Sequence, residues 1–124
     1  MNVINVLVAE DDKLNRIMIC KLLEKFGASC QTAVNGAEAV ELAMERDFDM
    51  VFLDFNMPEL SGAEVAAMIR QNCKAEGRKC PFIVCISADD EIGEQSIFDE
   101  FLPKPFKIET IQKMLEKSSG DDTD

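Results

Sequence analysis

A chain of 124 residues that is 47% hydrophobic can fill the core of one compact domain, and it leaves no room for a second catalytic or DNA-binding domain. Its 24 acidic and 13 basic residues give a formal charge of −11, which repels phosphate-coated polymers and anionic membranes, so direct nucleic-acid binding and membrane insertion are disfavoured. No apolar run is long enough to cross a bilayer, and Met1-Asn2-Val3 lacks the basic and apolar regions of a secretory signal, so a cytoplasmic protein is expected.

The first element is Val3-Ile4-Asn5-Val6-Leu7-Val8-Ala9, a nearly continuous apolar run of the kind that forms a strand buried on both faces; Glu10-Asp11-Asp12 stops it. Leu14, Met18, Leu22 and Phe26 then recur every four residues, which predicts a helix with that stripe inward, starting near Lys13 and ending at Gly27. Ser29 to Val34 is a weaker strand candidate. Asn35-Gly36 opens a second helix with an apolar stripe of Ala39, Val40, Ala43 and Met44.

Met50-Val51-Phe52-Leu53 is the second buried strand, and it ends on Asp54. The stretch from Asp54 to Gly62, with Pro58 inside it, is a fixed turn into a helix marked by Val65, Met68, Ile69 and Cys73. Phe82 to Ile86 is the third apolar run; Phe101-Leu102 is a weaker strand, and Ile108, Ile111 and Leu115 mark a last helix. The polar, acidic tail 118–124 has no apolar anchor and is expected to be disordered, leaving a domain over residues 3–117.

Strands alternating with helices imply right-handed βαβ units, and therefore an α/β fold: a doubly wound, five-stranded parallel sheet with helices on both faces. Such sheets bind ligands beyond the carboxyl ends of their strands, where the strand order reverses. That rule selects Glu10, Asp11, Asp12, Asp54, Ser87 and Lys104.

Carboxylates gathered at one sheet edge repel each other unless a cation neutralises them. Mg²⁺ suits the site because it accepts one or two direct carboxylates together with waters and phosphate oxygens. Asp11 and Asp12 are equally suited to capping the helix near Lys13, and Asp54 to ordinary turn chemistry before Pro58. A carboxylate at Asp54 can instead attack a phosphoryl group to give a mixed anhydride, if cationic groups absorb the charge being transferred. Lys104, held between Pro103 and Pro105, is placed to aim an ammonium at such a group; its plainer reading is an exposed loop lysine. Ser87 can donate its hydroxyl to a phosphoryl oxygen or simply cap a helix.

The five cysteines, Cys20, Cys30, Cys73, Cys80 and Cys85, are an odd count without an export signal, so reduced thiols acting as small apolar side chains are expected. The chain has no histidine, which excludes the common Cys/His zinc sites.

Val8-Ala9-Glu10-Asp11-Asp12 followed by Asn15-Arg16, the stretch Asp54 to Gly62, Ser87-Ala88 and Lys104-Pro105-Phe106 together resemble the receiver domain of two-component and phosphorelay response regulators. The likeness runs in order from about Val3 to Leu115, with two departures: the interval Ala88 through Pro103 is shorter than the family normally has and Gly93 interrupts its fourth helix, and the insertion-like stretch 72–79 is similar to receivers attached to hybrid histidine kinases. It implies the flavodoxin-like receiver fold, with Asp54 as phosphoacceptor. Glu10, Asp11, Asp54 and the backbone carbonyl of Asn56 would hold Mg²⁺, with Mn²⁺ as a substitute. Ser87 and Lys104 would bind the phosphoryl group, with a cis peptide before Pro105. Phosphorylation would draw Ser87 toward the phosphate and turn Phe101 inward, altering the surface near the fourth and fifth strands. Asn56, Ala88 and Asp89 would set the rate of spontaneous turnover by admitting water. The donor would be a phosphohistidine on a histidine kinase or histidine phosphotransfer protein acting in trans, since this chain has no histidine; the output partner is unknown. The domain would be regulatory and not an enzyme, catalysing only its own phosphorylation and slow autodephosphorylation.

Three other readings compete. A flavodoxin-like cofactor module needs a Ser/Thr/Gly-rich phosphate loop and ring-covering aromatics, whereas the first strand here ends in acids and Trp and Tyr are absent. An aspartyl-phosphate phosphatase places an acid two residues after the nucleophile, where this chain has Asn56. A degenerate receiver would act only as a protein-interaction module.

Overall fold

In the computed structural model, which describes residues 3–87, 97–104 and 106–120, the apolar runs form strands and the periodic segments form helices. In chain order these are β1 (Asn5–Ala9), α1 (Lys13–Lys25), β2 (Ser29–Ala33), α2 (Gly36–Glu45), β3 (Met50–Asp54), α3 (Gly62–Glu76), β4 (Phe82–Ser87), β5 (Glu100–Pro103) and α4 (Ile108–Gly120). All strand pairs are parallel, in the order β2-β1-β3-β4-β5, as expected of a doubly wound sheet. The chain steps outward from β1 to β2 and then returns past β1 to β3. Winding therefore reverses between β1 and β3, and their carboxyl ends lie side by side, with Ala9 opposite Leu53.

Strand alternation sends neighbouring side chains to opposite faces, and each face acquires its own core. Leu7, Ala9, Val51, Leu53, Ile83 and Cys85 pack against Ala39 and Ala43 of α2 and Val65, Ala66, Ile69 and Cys73 of α3. Val6, Val8, Met50, Phe52, Val84, Ile86 and Leu102 pack against Ile19 and Leu23 of α1 and Ile111, Met114 and Leu115 of α4. Every residue of β3 is buried, which explains why that run shows no polar alternation.

The inward face of α1 differs from the stripe expected from sequence. Ile19 and Leu23 are fully buried, while Leu14 is 73% and Met18 47% exposed. A strict spacing of four residues drifts around a helix of 3.6 residues per turn, so that stripe cannot stay on one face. Ile17 is also exposed, and α1 carries an outward apolar patch of Leu14, Ile17 and Met18.

Local signals fix the helix ends. The Asn35 side chain accepts the Glu38 N–H at 2.8 Å and starts α2. Ser61 and Glu64 form a reciprocal capping box at the start of α3. Residues 72–76 of the insertion-like stretch simply lengthen α3, which Gly77 stops in the left-handed conformation at φ 65°. Helix α4 continues to Gly120, beyond the boundary expected at Lys117. Gly93 and the rest of 88–96 lie outside the described residues, as do 121–124.

These burial differences predict opposite responses on one helix. Ile19→Ala should cost about 2–5 kcal/mol of unfolding free energy, whereas Leu14→Ala should stay within about 0.5 kcal/mol. Urea titrations followed by circular dichroism measure both; equal losses would place the stripe on the inward side after all.

Candidate metal centre and acceptor site

The reversal of winding brings the end of β1 against the end of β3, and both ends are acidic. One carboxylate oxygen from each of Glu10, Asp11 and Asp54 lies within 4.8 Å of the other two. Glu10 is fully buried and Asp54 is 6% exposed, while Asp11 is open to solvent. The ambiguity among the first acids resolves by position: Asp12 caps α1, accepting the Asn15 N–H at 2.9 Å, and Glu10 and Asp11 join Asp54.

Glu10 defines the chemistry of the pocket. Its Oε2 accepts the Asp12 N–H at 3.1 Å. Its Oε1 is buried without a hydrogen-bond partner, and Lys104 Nζ stands 3.6 Å away, an ion pair too long to be a hydrogen bond. A buried carboxylate oxygen in that condition is costly, and two further carboxylates make it more so. Burial first, then the adjoining Glu10 carboxylate, pushes the Asp54 carboxyl up to about 7. Lys104 and the Asn56 N–H, which donates to Asp54 Oδ1 at 3.3 Å, act in the opposite direction. An all-oxygen, anionic donor set with an unsatisfied oxygen is what a hard divalent cation such as Mg²⁺ completes, so these residues fit that ion.

The remaining residues arrive on neighbouring strand ends. Ser87 ends β4, buried, and its carbonyl accepts the Lys104 N–H at 3.0 Å. Phe55 N–H likewise donates to Ile86 O at 2.9 Å, so backbone bonds tie the segments after β3 and β5 to β4. Asn56 is exposed beside Asp54. Phe101, half-buried on β5, meets Phe98 edge-on with ring centroids 5.6 Å apart, at some remove from the carboxylates along the sheet edge. Ala88, Asp89 and Pro105 lie outside the described residues.

Sequence reasoning passed over three supports. Arg16 Nη1 donates to Glu10 O at 2.8 Å, clamping the backbone of the acidic turn from one side of α1. A Cβ on Gly62 would stand 2.6 Å from Asp54 O, so only glycine lets α3 start against the Asp54 backbone. Glu59 sits at φ 72° in a three-residue turn closed by Leu60 N–H to Pro58 O at 2.8 Å, and that strained turn folds the loop back toward α2. A Cβ on Gly36 of α2 would in turn approach Leu60 Cβ at 2.7 Å. The pairing of Asn15-Arg16 with the acidic turn was the available signal for the first of these; Gly62 was marked only as the end of the turn into α3, and nothing local marked the conformation of Glu59.

Residues 6–116 match the family profile described as the response regulator receiver domain. Hybrid signal transduction histidine kinase K of Dictyostelium discoideum is 35% identical over 123 residues, covering 91% of this chain and 10% of that protein. The aerobic respiration control sensor protein ArcB of Escherichia coli is 29% identical, over 92% of this chain and 15% of that protein. The chain thus spans only a small part of the curated relatives it matches. Among solved structures, the receiver domain of the response regulator Ssk1, crystallised with the histidine phosphotransfer protein Ypd1 of Saccharomyces cerevisiae, superposes with a TM-score of 0.84 at 28% identity, covering 93% of this chain and 88% of that one. The response regulator TrrA of Thermotoga maritima, in complex with Mg²⁺-BeF, gives the same TM-score and identity, covering 94% of this chain and 99% of its own. With the match running from Val6 to Glu116 and through every strand of the sheet, the chain belongs to the response regulator receiver domain family.

Proposed function

We propose that this receiver is a working phosphoacceptor switch, in which Asp54 takes a phosphoryl group from a phosphohistidine donor and the surface near β4 and β5 changes in response. The observation that carries the reading is the convergence of Glu10, Asp11 and Asp54 within 4.8 Å, around a buried Glu10 oxygen that faces Lys104. A purely structural edge gains nothing from such an arrangement, whereas phosphoryl transfer needs fixed cationic charge around a carboxylate nucleophile.

In the proposed step an Asp54 carboxylate oxygen attacks phosphorus, the phosphorus–nitrogen bond of the donor breaks, and the imidazole leaves. Glu10, Asp11, Asp54 and the Asn56 carbonyl are the residues that hold Mg²⁺ or, in its place, Mn²⁺, which supplies charge neutralisation for the phosphoryl oxygens. Lys104 contributes the second positive charge, already tethered by its backbone to Ser87. Ser87 offers a hydroxyl to the phosphoryl group. Its movement, together with inward rotation of the half-buried Phe101, carries the change to the β4–β5 edge. The exposed Asn56 beside the acceptor leaves water a route to the acyl phosphate, consistent with slow autodephosphorylation.

A donor must reach Asp54 over the surface that α1 begins. The outward patch of Leu14, Ile17 and Met18 starts two residues after Asp12, and a neighbouring fold is known in complex with a histidine phosphotransfer protein. A phosphohistidine protein, histidine kinase or phosphotransfer protein, is therefore proposed to dock on this patch, burying apolar area otherwise left in water.

Intact mass after acetyl phosphate and Mg²⁺ should show a single phosphoryl adduct that is absent from Asp54→Asn and after chelation. Lys104→Met should slow its formation on the order of 100-fold. Mg²⁺ binding without any adduct would favour an interaction module over a switch. Leu14→Glu with Met18→Glu should weaken transfer from a phosphohistidine protein roughly 10-fold while leaving the acetyl phosphate reaction unchanged; equal loss in both reactions would remove α1 as the docking face.

Stability against pH supplies an independent reading. Because the folded state raises Asp54 from its ordinary 3.8 to about 7, folding gains from its protonation in acid and loses that gain as pH rises through this interval. At about 1.4 kcal/mol per tenfold change in proton affinity the loss is at most about 4 kcal/mol, and less where water enters the pocket. In chelator, Asp54→Asn should abolish this decline and melt higher than the parent at pH 8; a parent slope retained by the variant would assign the strain elsewhere.

A further inference from the structure

Four of the five thiols meet in two pairs, one against each core. Cys20 of α1 and Cys30 of β2 border the core shared with α4, and Cys73 of α3 and Cys80 border the other. The two pairs differ in what they can do. Cys73 is 2% exposed, and Cys80, raised by burial, accepts a hydrogen bond from Arg70 Nη1 at 3.5 Å. Cys20 and Cys30 are both half-buried, within reach of a small reagent, and Cys30 Sγ donates to the Cys20 carbonyl at 3.9 Å with the two thiols in direct contact.

Reactivity follows the thiolate, and a low-affinity thiol beside a second one is the arrangement that oxidises reversibly. The neighbouring Cys30 thiol, and more weakly the Arg16 guanidinium one turn back, hold the Cys20 thiol below its ordinary range, against burial and the Glu24 charge. The same contact raises Cys30, which stays a protonated partner.

We propose that Cys20 and Cys30 form a reversible disulfide under hydrogen peroxide, with Cys20 as the attacking thiol and Cys30 as the resolving one, tying the middle of α1 to the edge strand β2. The Cys20 sulfur attacks one peroxide oxygen, the O–O bond breaks, and the other oxygen leaves as hydroxide and takes up a proton to become water. Cys20 is then a sulfenic acid. The Cys30 sulfur attacks the Cys20 sulfur, the S–O bond breaks, and the hydroxyl leaves as a second water with the Cys30 proton. Two thiols lose two electrons in all, and one peroxide is reduced to two waters. A dithiol reductant returns both cysteines to thiols, as a regulatory bond in a reducing compartment requires.

The test is peroxide treatment of the whole chain, followed by unfolding, alkylation and non-reducing tryptic digestion. Alkylated thiols should fall from five to three, with one cross-linked peptide pair joining Cys20 to Cys30, cleaved by dithiothreitol. The oxidised protein should melt on the order of 5 °C higher than the reduced form. Cys30→Ser should leave a sulfenic acid on Cys20 that dimedone traps, and Cys20→Ser should leave none at either position. Five alkylated thiols after a dose that oxidises free cysteine, a link confined to Cys73–Cys80 or to two chains, or dimedone capture on Cys30 in place of Cys20 would each overturn the proposal.

Discussion

Burial of the Glu10 carboxylate is the constraint on which the site depends. Carboxylates almost never lie fully buried without a partner for each oxygen, and here one oxygen has only a lysine ion pair 3.6 Å away. The fold accepts that cost because β1 and β3 must end side by side once the sheet reverses its winding, and both runs end in acid. What is an electrostatic defect in isolation becomes a binding site for positive charge, and the Lys104 ammonium already answers part of the demand.

The surroundings hold this defect in place. Arg16 fixes the backbone of Glu10 from α1, and Gly62 lets the first turn of α3 press on the carbonyl of Asp54. The Ser61–Glu64 box fixes where that turn starts, and Gly36 leaves room for the Leu60 turn that precedes it. Each support acts on backbone rather than on the acidic side chains, whose free oxygens therefore remain available. Preorganisation of this sort keeps charged groups aimed without spending their hydrogen-bonding capacity on one another.

The parallel sheet and its acidic ends were legible in the sequence because fully buried parallel strands leave an unambiguous mark: β3 shows no polar residue until Asp54. The weaker strands were legible only in outline, since β2 is mostly half-exposed or exposed and β5 has four residues. The face of α1 was misjudged because Leu14 and Met18 lie four apart, and that spacing, in so short a helix, looks like a core stripe when it is a surface patch. Gly36 acts on Leu60 across elements distant in sequence, where no local pattern can announce the contact, whereas the Arg16 clamp on Glu10 spans only six residues and the Asn15-Arg16 pair was its signal. The thiol pairs illustrate the same limit: Cys20 and Cys30 read as unrelated apolar residues until α1 is laid on β2.

The same division between backbone and side chain bears on how a change at Asp54 can spread. Phe55 N–H to Ile86 O at 2.9 Å and Lys104 N–H to Ser87 O at 3.0 Å continue the sheet's hydrogen bonding past β3 and β5, so the backbones around Asp54, Ser87 and Lys104 are joined in one frame. In the proposed switch, movement within that frame is carried by side chains. Phe101 lies on the edge strand β5, half-buried against the core and edge-on to Phe98, a ring contact that adds about 1 kcal/mol beyond the area it buries. A charged pocket joined through the sheet to a half-buried aromatic at its edge would, in the proposed switch, let a small electrostatic change select between two packings without breaking a backbone bond.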